Sequence, residues 1–213
     1  MAELRLYHQP GGCSRVTLAA LEHVGAAYED RLVDLASGEQ HSAEFLAINP
    51  RGKIPALVVD GELIAENAAI LLWIHHRWPD AGLLPASSGL DATRQLADLF
   101  WLSSFWHPTV RAIRMPIRWT TGAPEPVQER GSLLLAEPLA RMDRLLCGQT
   151  WWFGESWSIC DVYFCWICGI AEGGGYPLEG MKGIVLHRQR TMAHPAFRQA
   201  ILREQAALAR GQE

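Results

Sequence analysis

The chain has 213 residues, of which 49% are hydrophobic and 20% are charged, a composition typical of a globular protein with a full core. Its formal net charge of −4 lacks the basic excess that neutralises phosphates, which argues against nucleic acid as a partner. The first residues show no basic segment followed by an apolar one, and the longest apolar stretch, 159–171, contains Asp161 and is too short to span a bilayer. We therefore expect a soluble cytoplasmic protein that contacts small molecules or proteins and no membrane.

The five cysteines are an odd number without secretory context, which indicates reduced thiols. Cys160, Cys165 and Cys168 match a spacing found in iron–sulfur loops, but no cysteine follows to act as the fourth ligand. The residues between them are apolar, so these thiols are predicted to lie in a buried helix. Four histidines lack a coherent metal-ligand spacing, and we predict no metal. These histidines are His75, His76, His187 and His194.

The first third of the chain alternates short strands with helices. An apolar-alternating strand at Leu4–Tyr7 is followed by a Pro-Gly-Gly turn and a helix at 14–24, for which Gly25 is a C-cap candidate. A second strand is predicted at 28–35 and a short helix at 43–48. Together with the hairpin and helix that follow, this order predicts a compact α/β unit with a mixed sheet.

The segment 49–70 is the most informative part of the sequence. A β-branched run at 54–59, an Asp-Gly turn and a second strand at 62–64 predict an antiparallel hairpin. Pro55 stands at its entrance, where an X-Pro bond can be cis. The apolar period then becomes helical, so a helix opens near Glu66. The unpaired N–H groups and the dipole at the start of this helix attract a carboxylate. The carboxylate of Glu66 is able to bind an ammonium group. Together these two features predict a binding site.

The second half of the chain is predicted to be all-helical. The Pro-, Gly- and Ser-rich segment 78–89 is a predicted linker, and beyond it the strand signals fade. Ser158 and Asp161 match a capping box before the most apolar helix, which we expect to contribute roughly 1 kcal/mol at the cap. The predicted helices cover 91–114, 126–147, 158–171 and 194–209.

Four motifs along the chain form a combination typical of one family. They are Tyr7-His8-Gln9-Pro10-Gly11-Gly12-Cys13-Ser14, Asn49-Pro50-Arg51-Gly52-Lys53-Ile54-Pro55, Glu66-Asn67, and Ser158 with Asp161 in the helical half. Together they resemble the cytosolic glutathione S-transferases, and the Pro-Gly-x-Cys-Ser element is most similar to the bacterial beta class. The resemblance implies an α/β plus all-α fold, a homodimer and glutathione as co-substrate.

The resemblance also implies a division into domains. An N-terminal thioredoxin-like domain with a mixed four-stranded sheet is expected at 1–80, where it binds glutathione. A linker is expected at 81–90. A C-terminal α-helical bundle domain is expected at 91–213, where it supplies the site for the electrophile.

Individual residues take roles from the same resemblance. Pro55 is implied to be a cis-proline, and the backbone of Ile54 is implied to pair with the cysteinyl part of glutathione. Lys53 is implied to reach the glycine carboxylate. Gln40 or His41 is implied to assist at that end of the peptide.

Glu66 and Asn67 are implied to hold the γ-glutamyl end of glutathione. The family usually has Ser after this Glu, so the amide of Asn67 is expected to bind with altered geometry. In the helical half, His107 lies in a region where the beta class offers a histidine to the active site. Aromatic and basic residues nearby are candidates either for the electrophile pocket or for the core. They are Phe105, Trp106, Arg111, Arg114 and Trp119.

Cys13 stands at the start of the first predicted helix, where the dipole and exposed N–H groups lower the pKa of a thiol. Two roles remain open. Cys13 is either a reactive thiolate that forms a mixed disulfide with glutathione, or it and Ser14 donate hydrogen bonds to the thiolate of glutathione. Neither position 10 nor position 16 holds a cysteine that would form a C-x-x-C pair with Cys13. This absence disfavours a dithiol oxidoreductase. Tyr7 is interpreted as strand core.

The leading hypothesis is a glutathione transferase that conjugates the glutathione thiolate to a small hydrophobic electrophile. Glutathione-dependent thiol transfer or reduction is the enzymatic alternative. A non-catalytic glutathione-transferase-like binding module is the alternative from another class, because a fold does not fix a function. An enzyme is favoured by the retained Cys13-Ser14, Lys53 and Glu66. His8 and Asn67 depart from the family pattern.

Overall fold

The computed structural model describes residues 2–86 and 88–210. Met1, Ser87 and the last three residues lie outside this part, and with them one residue of the predicted linker and the end of the predicted 91–213 domain. None of the helices in the described ranges combines the length and the hydropathy of a membrane span.

The described chain forms two compact units. Residues up to Leu83 and the segment from His194 onward form the first unit, and Leu84–Ala193 forms the second. The elements in chain order are β1 (Leu4–His8), α1 (Ser14–His23), β2 (Glu29–Leu32), α2 (Ala43–Ile48), β3 (Ala56–Val59), β4 (Glu62–Ala65), α3 (Asn67–Arg77), α4 (Gly89–Trp101), α5 (His107–Arg114), α6 (Glu125–Gly148), α7 (Ile159–Gly173), α8 (Lys182–Ala193) and α9 (Pro195–Arg210).

The first unit is built on a four-stranded sheet in the order β2-β1-β3-β4. β1 runs parallel to β2, with Leu6 opposite Asp30, and antiparallel to β3, which forms a hairpin with β4. The hairpin turn has positive φ at both central residues, 49° at Asp60 and 89° at Gly61, which is the type I′ pattern that Asp-Gly predicts. The mixed four-stranded sheet and the hairpin are therefore confirmed.

One face of the sheet supports a small apolar cluster. The ring of Tyr7 meets the ring of Phe45 edge-on, with centroids 5.8 Å apart. Val33 and Ala56 are buried in the same cluster, and Ile54 is partly buried against it. The interpretation of Tyr7 as strand core agrees with this packing.

Helix α9 packs against α1 in the first unit. Arg15 of α1 pairs with Glu204 of α9 at 2.7 Å, and Arg203 of α9 pairs with Glu22 of α1 at 2.8 Å. The sequence-based boundary assigns the whole of 91–213 to one helical domain, whereas in the structure this last helix groups with the sheet. Helical periodicity predicts that α9 has a buried face, but it carries no information about which element covers that face.

The predicted linker is more structured than its composition indicates. Pro79–Ala81 forms a 3₁₀ turn. Leu83 and Leu84 are buried, with 0% and 4% of their surface exposed. The division between the compact units falls between these two leucines. The Pro and Gly residues therefore mark turns in a packed segment.

The second unit consists of helices α4 to α8. The single helix predicted at 91–114 is interrupted, because a π-helical segment, Leu102–Trp106, separates α4 from α5. The sequence does not predict α8, since small and polar residues occupy much of its buried face and give little apolar periodicity. The buried residues of α8 are Gly183, Ile184, His187 and Thr191.

Helix α7 begins at the predicted capping box. Oδ2 of the buried Asp161 accepts hydrogen bonds from the backbone N–H of Ser158 at 2.8 Å and from its hydroxyl at 3.0 Å. Oδ1 accepts from the backbone N–H of Trp152 and from Nε2 of His187, both at 2.7 Å. One carboxylate therefore joins the start of α7 to the preceding loop and to α8.

Candidate functional site

The loop between α2 and β3 is held by the buried side chain of Asn49, which has 1% of its surface exposed. Nδ2 donates to the carbonyl of Lys53 at 2.6 Å. Oδ1 accepts from the N–H of Arg51 at 3.1 Å, and the Asn49 carbonyl accepts from the N–H of Gly52 at 2.9 Å. Because these bonds are shielded from water, they fix the loop that presents the exposed side chains of Arg51 and Lys53.

Gln40 and His41 lie against this same loop. Gly52 has a φ of +58°, and a Cβ atom there would lie 3.0 Å from the carbonyl oxygen of Gln40 and 3.1 Å from Nδ1 of His41. Glycine suits both the positive φ and the close approach. Oε1 of Gln40 is buried without a hydrogen-bond partner among the described residues, whereas His41 is exposed. The structure thus brings both residues beside the loop that carries Lys53.

The peptide bond between Ile54 and Pro55 is cis, and Pro55 is buried directly before β3. The thiol of Cys13 donates a hydrogen bond to the carbonyl of Ile54, with 3.6 Å between sulfur and oxygen. This contact joins two motifs that stand 41 residues apart in the sequence. The cysteine and the cis-proline therefore share one site.

Cys13 occupies the N-cap position of α1, with φ −63° and ψ −17°, and is partly buried. No acidic residue lies in the first turn of α1, so the positive end of the helix dipole acts on this thiol without a nearby carboxylate on the same turn. A carbonyl oxygen can only accept a hydrogen bond, so in this contact the sulfur of Cys13 is the donor. The geometry therefore favours Cys13 as a hydrogen-bond donor in the absence of a ligand.

The other cysteines differ from Cys13 in their surroundings. Cys160, Cys165 and Cys168 are buried in α7, as predicted. Burial raises the pKa of the Cys160 and Cys168 thiols well above the ordinary value, so both stay protonated. Cys147 is exposed near the end of α6. Within residues 2–86 and 88–210, no group of three or more His, Cys, Asp or Glu side chains is arranged to hold a metal ion.

Ser14 is buried behind Cys13, with 0% of its surface exposed. Its hydroxyl donates to the carbonyl of Gln9 and accepts from the N–H of Gln9, both at 3.1 Å. A hydroxyl has one hydrogen, and here that hydrogen closes the loop that precedes α1. Donation from Ser14 to a ligand sulfur stays a prediction, and it requires this bond to break.

Glu66 is the N-cap residue of α3 and has a φ of +74°, which is rare for a residue with a side chain. Such strained positions cost roughly 1–3 kcal/mol and persist where the surroundings hold them, often at functional sites. The carboxylate is 65% exposed and accepts a hydrogen bond from Nη1 of Arg51 at 3.1 Å. The strained backbone thus presents an exposed acidic group at the start of α3.

Asn67 is turned inward, with 6% of its surface exposed. Its Oδ1 accepts from the hydroxyl of Thr17 at 2.7 Å, and its Nδ2 donates to the backbone carbonyl of Cys13 at 2.9 Å. The side chain therefore ties the start of α3 to the start of α1. Donation from this amide to a ligand carboxylate stays a prediction, because the structure gives both ends of the amide other partners.

His107 lies in the second unit, whereas the other predicted site residues lie in the first. It begins α5 directly after the π-helical segment, an irregularity that is frequent at functional sites. Its Nδ1 is 2.9 Å from the hydroxyl of Tyr163, and its ring meets that of Trp166 edge-on at 4.6 Å. These two contacts fix the orientation of the imidazole. Its catalytic role stays a prediction.

A mostly apolar cavity of about 390 Å³ opens in the second unit, between α5 and α6. Pro108, Val127 and Leu134 are among the residues that line it. Trp119, a predicted pocket residue, also lines it and is 55% exposed, whereas Trp106 is fully buried in the core. Of these two tryptophans, one therefore lies in a cavity wall and the other in the core.

Known proteins are similar to this chain over most of its length. Residues 2–76 match the model of the glutathione S-transferase N-terminal domain. The maleylacetoacetate isomerase of Pseudomonas aeruginosa is 31% identical over 202 residues, which cover 93% of this chain and 94% of the isomerase. The chain belongs to the cytosolic glutathione S-transferase family.

Solved structures of the glutathione S-transferase family agree with this membership. A sphingomonad glutathione S-transferase complexed with glutathione is 31% identical, with a TM-score of 0.83 over 94% of this chain and 98% of that one. The bacterial beta-class glutathione S-transferase of Sphingomonas chungbukensis is 30% identical, with a TM-score of 0.82 over the same shares of the two chains. The similarity to the beta class that the motifs predict is therefore confirmed. Because relatives include both an isomerase and transferases, membership alone does not specify the reaction.

Three residues that shape the site have no role in the sequence-based prediction. Asn49 and Arg51 lie inside a recognised motif, and this position is the signal from which a role in the site could have been predicted. Thr17 lies four residues after Cys13, on the same face of α1. Its bond to Asn67 joins residues 50 positions apart, and no local pattern predicts such a contact.

Proposed function

We propose that this member of the family is a glutathione transferase that joins the thiolate of glutathione to a small hydrophobic electrophile. The observation that carries the proposal is the pair of hydrogen bonds that meet at Cys13. Its thiol reaches the carbonyl of Ile54, and its backbone carbonyl accepts from Asn67. The three motifs that the resemblance assigns to glutathione are thereby held side by side within the first unit.

The proposed reaction begins when the cysteinyl backbone of glutathione pairs with the backbone of Ile54. The N–H of the ligand then takes over the Ile54 carbonyl, which releases the Cys13 thiol to donate to the sulfur of glutathione. The positive end of α1 favours an anion there, so the glutathione thiol gives its proton to water. The thiolate forms a sulfur–carbon bond with the electrophile. A leaving group departs with the displaced electron pair, or an activated double bond takes up a proton.

Ionisation accounts for a modest part of the expected acceleration. Lowering the pKa of a thiol by two units raises the ionised fraction at neutral pH by about 25-fold at most. The remainder has to come from orienting the thiolate and the electrophile together. For this reason the proposal requires a second binding region for the electrophile, for which the helical unit with His107 is the candidate.

Two other reactions are alternatives at the same site. Glutathione-dependent isomerisation is favoured by the 31% identity to a maleylacetoacetate isomerase. In such a reaction the thiolate adds to an unsaturated carbon, a bond rotates, and the thiolate leaves again. Thiol transfer or reduction is favoured by the position of Cys13 at a helix N-terminus, where a thiolate is stabilised. A binding module without catalysis is the alternative from another class.

Glutathione binding and turnover of Cys13 variants test the proposal. Wild type should bind glutathione in a calorimetric titration and conjugate it to activated aryl halides. Cys13→Ala should lower kcat/KM for conjugation by about tenfold or more, as expected when a donor to a developing or existing sulfur anion is lost. Cys147→Ala is the matched control, because this exposed cysteine lies on α6, and it should leave both measurements unchanged.

Each alternative gives a different result. Absence of glutathione binding contradicts every enzymatic candidate, and binding without turnover on a broad panel of electrophiles favours the binding module. If Cys13→Ala abolishes disulfide reduction and spares conjugation, the cysteine is a redox nucleophile. Turnover of a cis-alkene substrate without net consumption of glutathione favours the isomerase.

We also propose a cytoplasmic homodimer, as the resemblance implies. Light scattering after size-exclusion chromatography should give twice the mass of one chain. A monomeric mass at micromolar concentration would contradict this part of the proposal without affecting the chemistry at Cys13.

A further inference from the structure

A buried polar pair joins the first turns of α1 and α3. Asn67 has 6% of its surface exposed and Thr17 has 0%. The hydroxyl of Thr17 donates to Oδ1 of Asn67 at 2.7 Å, and Nδ2 of Asn67 donates to the backbone carbonyl of Cys13 at 2.9 Å. A carbonyl only accepts hydrogen bonds, so the amide nitrogen has to face Cys13. The orientation of the Asn67 side chain is therefore determined at both of its ends.

The backbone of Cys13 is unusual for a helix N-cap. N-cap residues typically have an extended backbone, and their own side chain accepts a hydrogen bond from the first turn. Cys13 has φ −63° and ψ −17°, which are helical values, and its side chain makes no capping hydrogen bond. The thiol instead donates to the carbonyl of Ile54, with 3.6 Å between sulfur and oxygen. The bond from Asn67 to the Cys13 carbonyl holds this residue from outside α1.

An amide suits both neighbours of residue 67 at once. Thr17 presents a hydrogen and Cys13 presents a carbonyl oxygen, so the side chain between them has to accept one hydrogen bond and donate another. A carboxylate supplies two acceptors and no donor. A serine hydroxyl has to serve both partners from one oxygen on a shorter side chain. Asn67 stands where the family usually has a serine, so this arrangement depends on a residue in which the chain departs from the family pattern.

We propose that Asn67, oriented by Thr17, is a positioning residue for the Cys13 thiol and not a donor to a glutathione carboxylate. This inference rests on the proposed function, in which the N–H of the ligand takes the Ile54 carbonyl from the thiol. After that exchange, the bond from Asn67 to the Cys13 carbonyl still holds the residue at the positive end of α1. Without Asn67, the backbone of Cys13 relaxes toward the extended conformation typical of N-caps, which moves the sulfur from that position.

The first experiment measures how fast iodoacetamide alkylates Cys13 in the absence of glutathione, as a function of pH. It uses the Cys147→Ala background, because Cys147 is exposed, whereas the other three cysteines are buried in α7. Asn67→Ala should slow alkylation at pH 7 by about threefold or more, since a thiol farther from the helix N-terminus forms less thiolate. Asn67→Asp should slow it further, because it keeps the acceptor for Thr17, removes the donor to Cys13 and adds a like charge near the thiolate.

Thr17→Val and Thr191→Val form a matched pair of variants. Both threonines have 0% of their surface exposed, and each hydroxyl donates one hydrogen bond, to Asn67 at 2.7 Å and to the carbonyl of His187 at 2.9 Å. Thr17→Val should slow alkylation by a smaller factor than Asn67→Ala, and combining the two should add nothing, because both act through one contact. Thr191→Val loses a comparable bond in the second unit and should leave the rate unchanged. If Asn67→Ala does not fold, Thr17→Val supplies the measurement.

The second experiment separates positioning from ligand binding. If Asn67 positions Cys13, Asn67→Ala should lower kcat for conjugation by about threefold or more and change the calorimetric affinity for glutathione by less than about twofold. If Asn67 instead donates to a ligand carboxylate, the affinity should fall by about tenfold or more, and Cys13 should be alkylated at the wild-type rate. The two roles thus predict opposite results in two independent measurements.

Three results overturn the inference. The first is an alkylation rate in Asn67→Ala equal to or above that of wild type. The second is a weaker affinity for glutathione with unchanged alkylation, which assigns Asn67 to the ligand. The third is equal slowing by Thr191→Val, which shows a general effect of lost stability. In all three cases the proposed function stands if wild type binds and conjugates glutathione. If wild type binds no glutathione, the proposed function fails, whereas the alkylation rates still test whether Asn67 positions Cys13.

Discussion

Replacement of Asp161 by alanine is expected to destabilise the second unit strongly. This buried carboxylate accepts two backbone N–H groups, from Trp152 and Ser158, the hydroxyl of Ser158 and Nε2 of His187. Each buried donor left without an acceptor costs roughly 1–3 kcal/mol. The hydroxyl and the imidazole can reorient, whereas the two backbone N–H groups cannot. We therefore expect a loss of about 4 kcal/mol, a large share of the roughly 5–15 kcal/mol that stabilises a domain.

Urea unfolding followed by circular dichroism measures this effect. Asp161→Asn keeps one oxygen acceptor and places an amide N–H₂ group against the donors of Ser158. The unfolding free energy that it loses should therefore be about half the loss in the alanine variant. Asp91→Ala is the matched control, because Asp91 is 77% exposed and forms an ion pair with Arg94. It should change the unfolding free energy by less than about 0.5 kcal/mol.

A loss below about 1 kcal/mol for Asp161→Ala would refute the reasoning. Asp161 would then act as an ordinary cap, as the sequence alone suggests, and water or other groups would satisfy the buried donors. If the alanine variant does not fold, the asparagine variant supplies the measurement. Equal unfolding free energies for Asp161→Asn and wild type would refute the reasoning in the same way.

Three further predictions concern other buried contacts. Thr17→Val removes the hydroxyl bonded to Asn67 and should cost about 1–2 kcal/mol in urea unfolding; an unchanged midpoint would show that this bond is dispensable. Burial lowers the pKa of His8 below its ordinary 6.5, so the unfolded chain binds a proton that the folded chain does not. Stability should therefore fall as the pH drops below about 6.5, and His8→Gln should reduce that slope; an identical slope would contradict the assignment. Gly183→Ala places a Cβ against the backbone of α6 and should lower the thermal midpoint, at a cost of about 1–3 kcal/mol; an unchanged midpoint would contradict the close packing.

Local chemistry explains why parts of the fold are predictable. The Asp-Gly pair determines the hairpin turn because both of its residues adopt positive φ, at Asp60 and Gly61. The capping box predicts the start of α7 because its hydrogen bonds join residues three apart. In both places the interaction that forms the structure lies within a few residues, where a sequence pattern can record it.

Contacts between distant segments explain the rest. The bond from Asp161 to His187 spans 26 residues, and helix α8, which carries His187, has a buried face too polar for its period to be recognised. The inward turn of Asn67 depends on Thr17, which lies 50 residues away. The motif predicts a binding role for Asn67, but the direction of its side chain is decided by a partner that the motif does not include.

The packing of α9 makes the first unit discontinuous in the sequence. The chain leaves this unit at Leu83 and re-enters it at His194. During synthesis, the face of α1 that carries Arg15 and Glu22 therefore remains uncovered by α9 until more than a hundred intervening residues have been made. A fragment ending at Leu83 would contain Cys13 and the cis-proline but would expose that face to water. Attempts to isolate the first unit should consequently join residues 2–83 to 194–210 with a short linker.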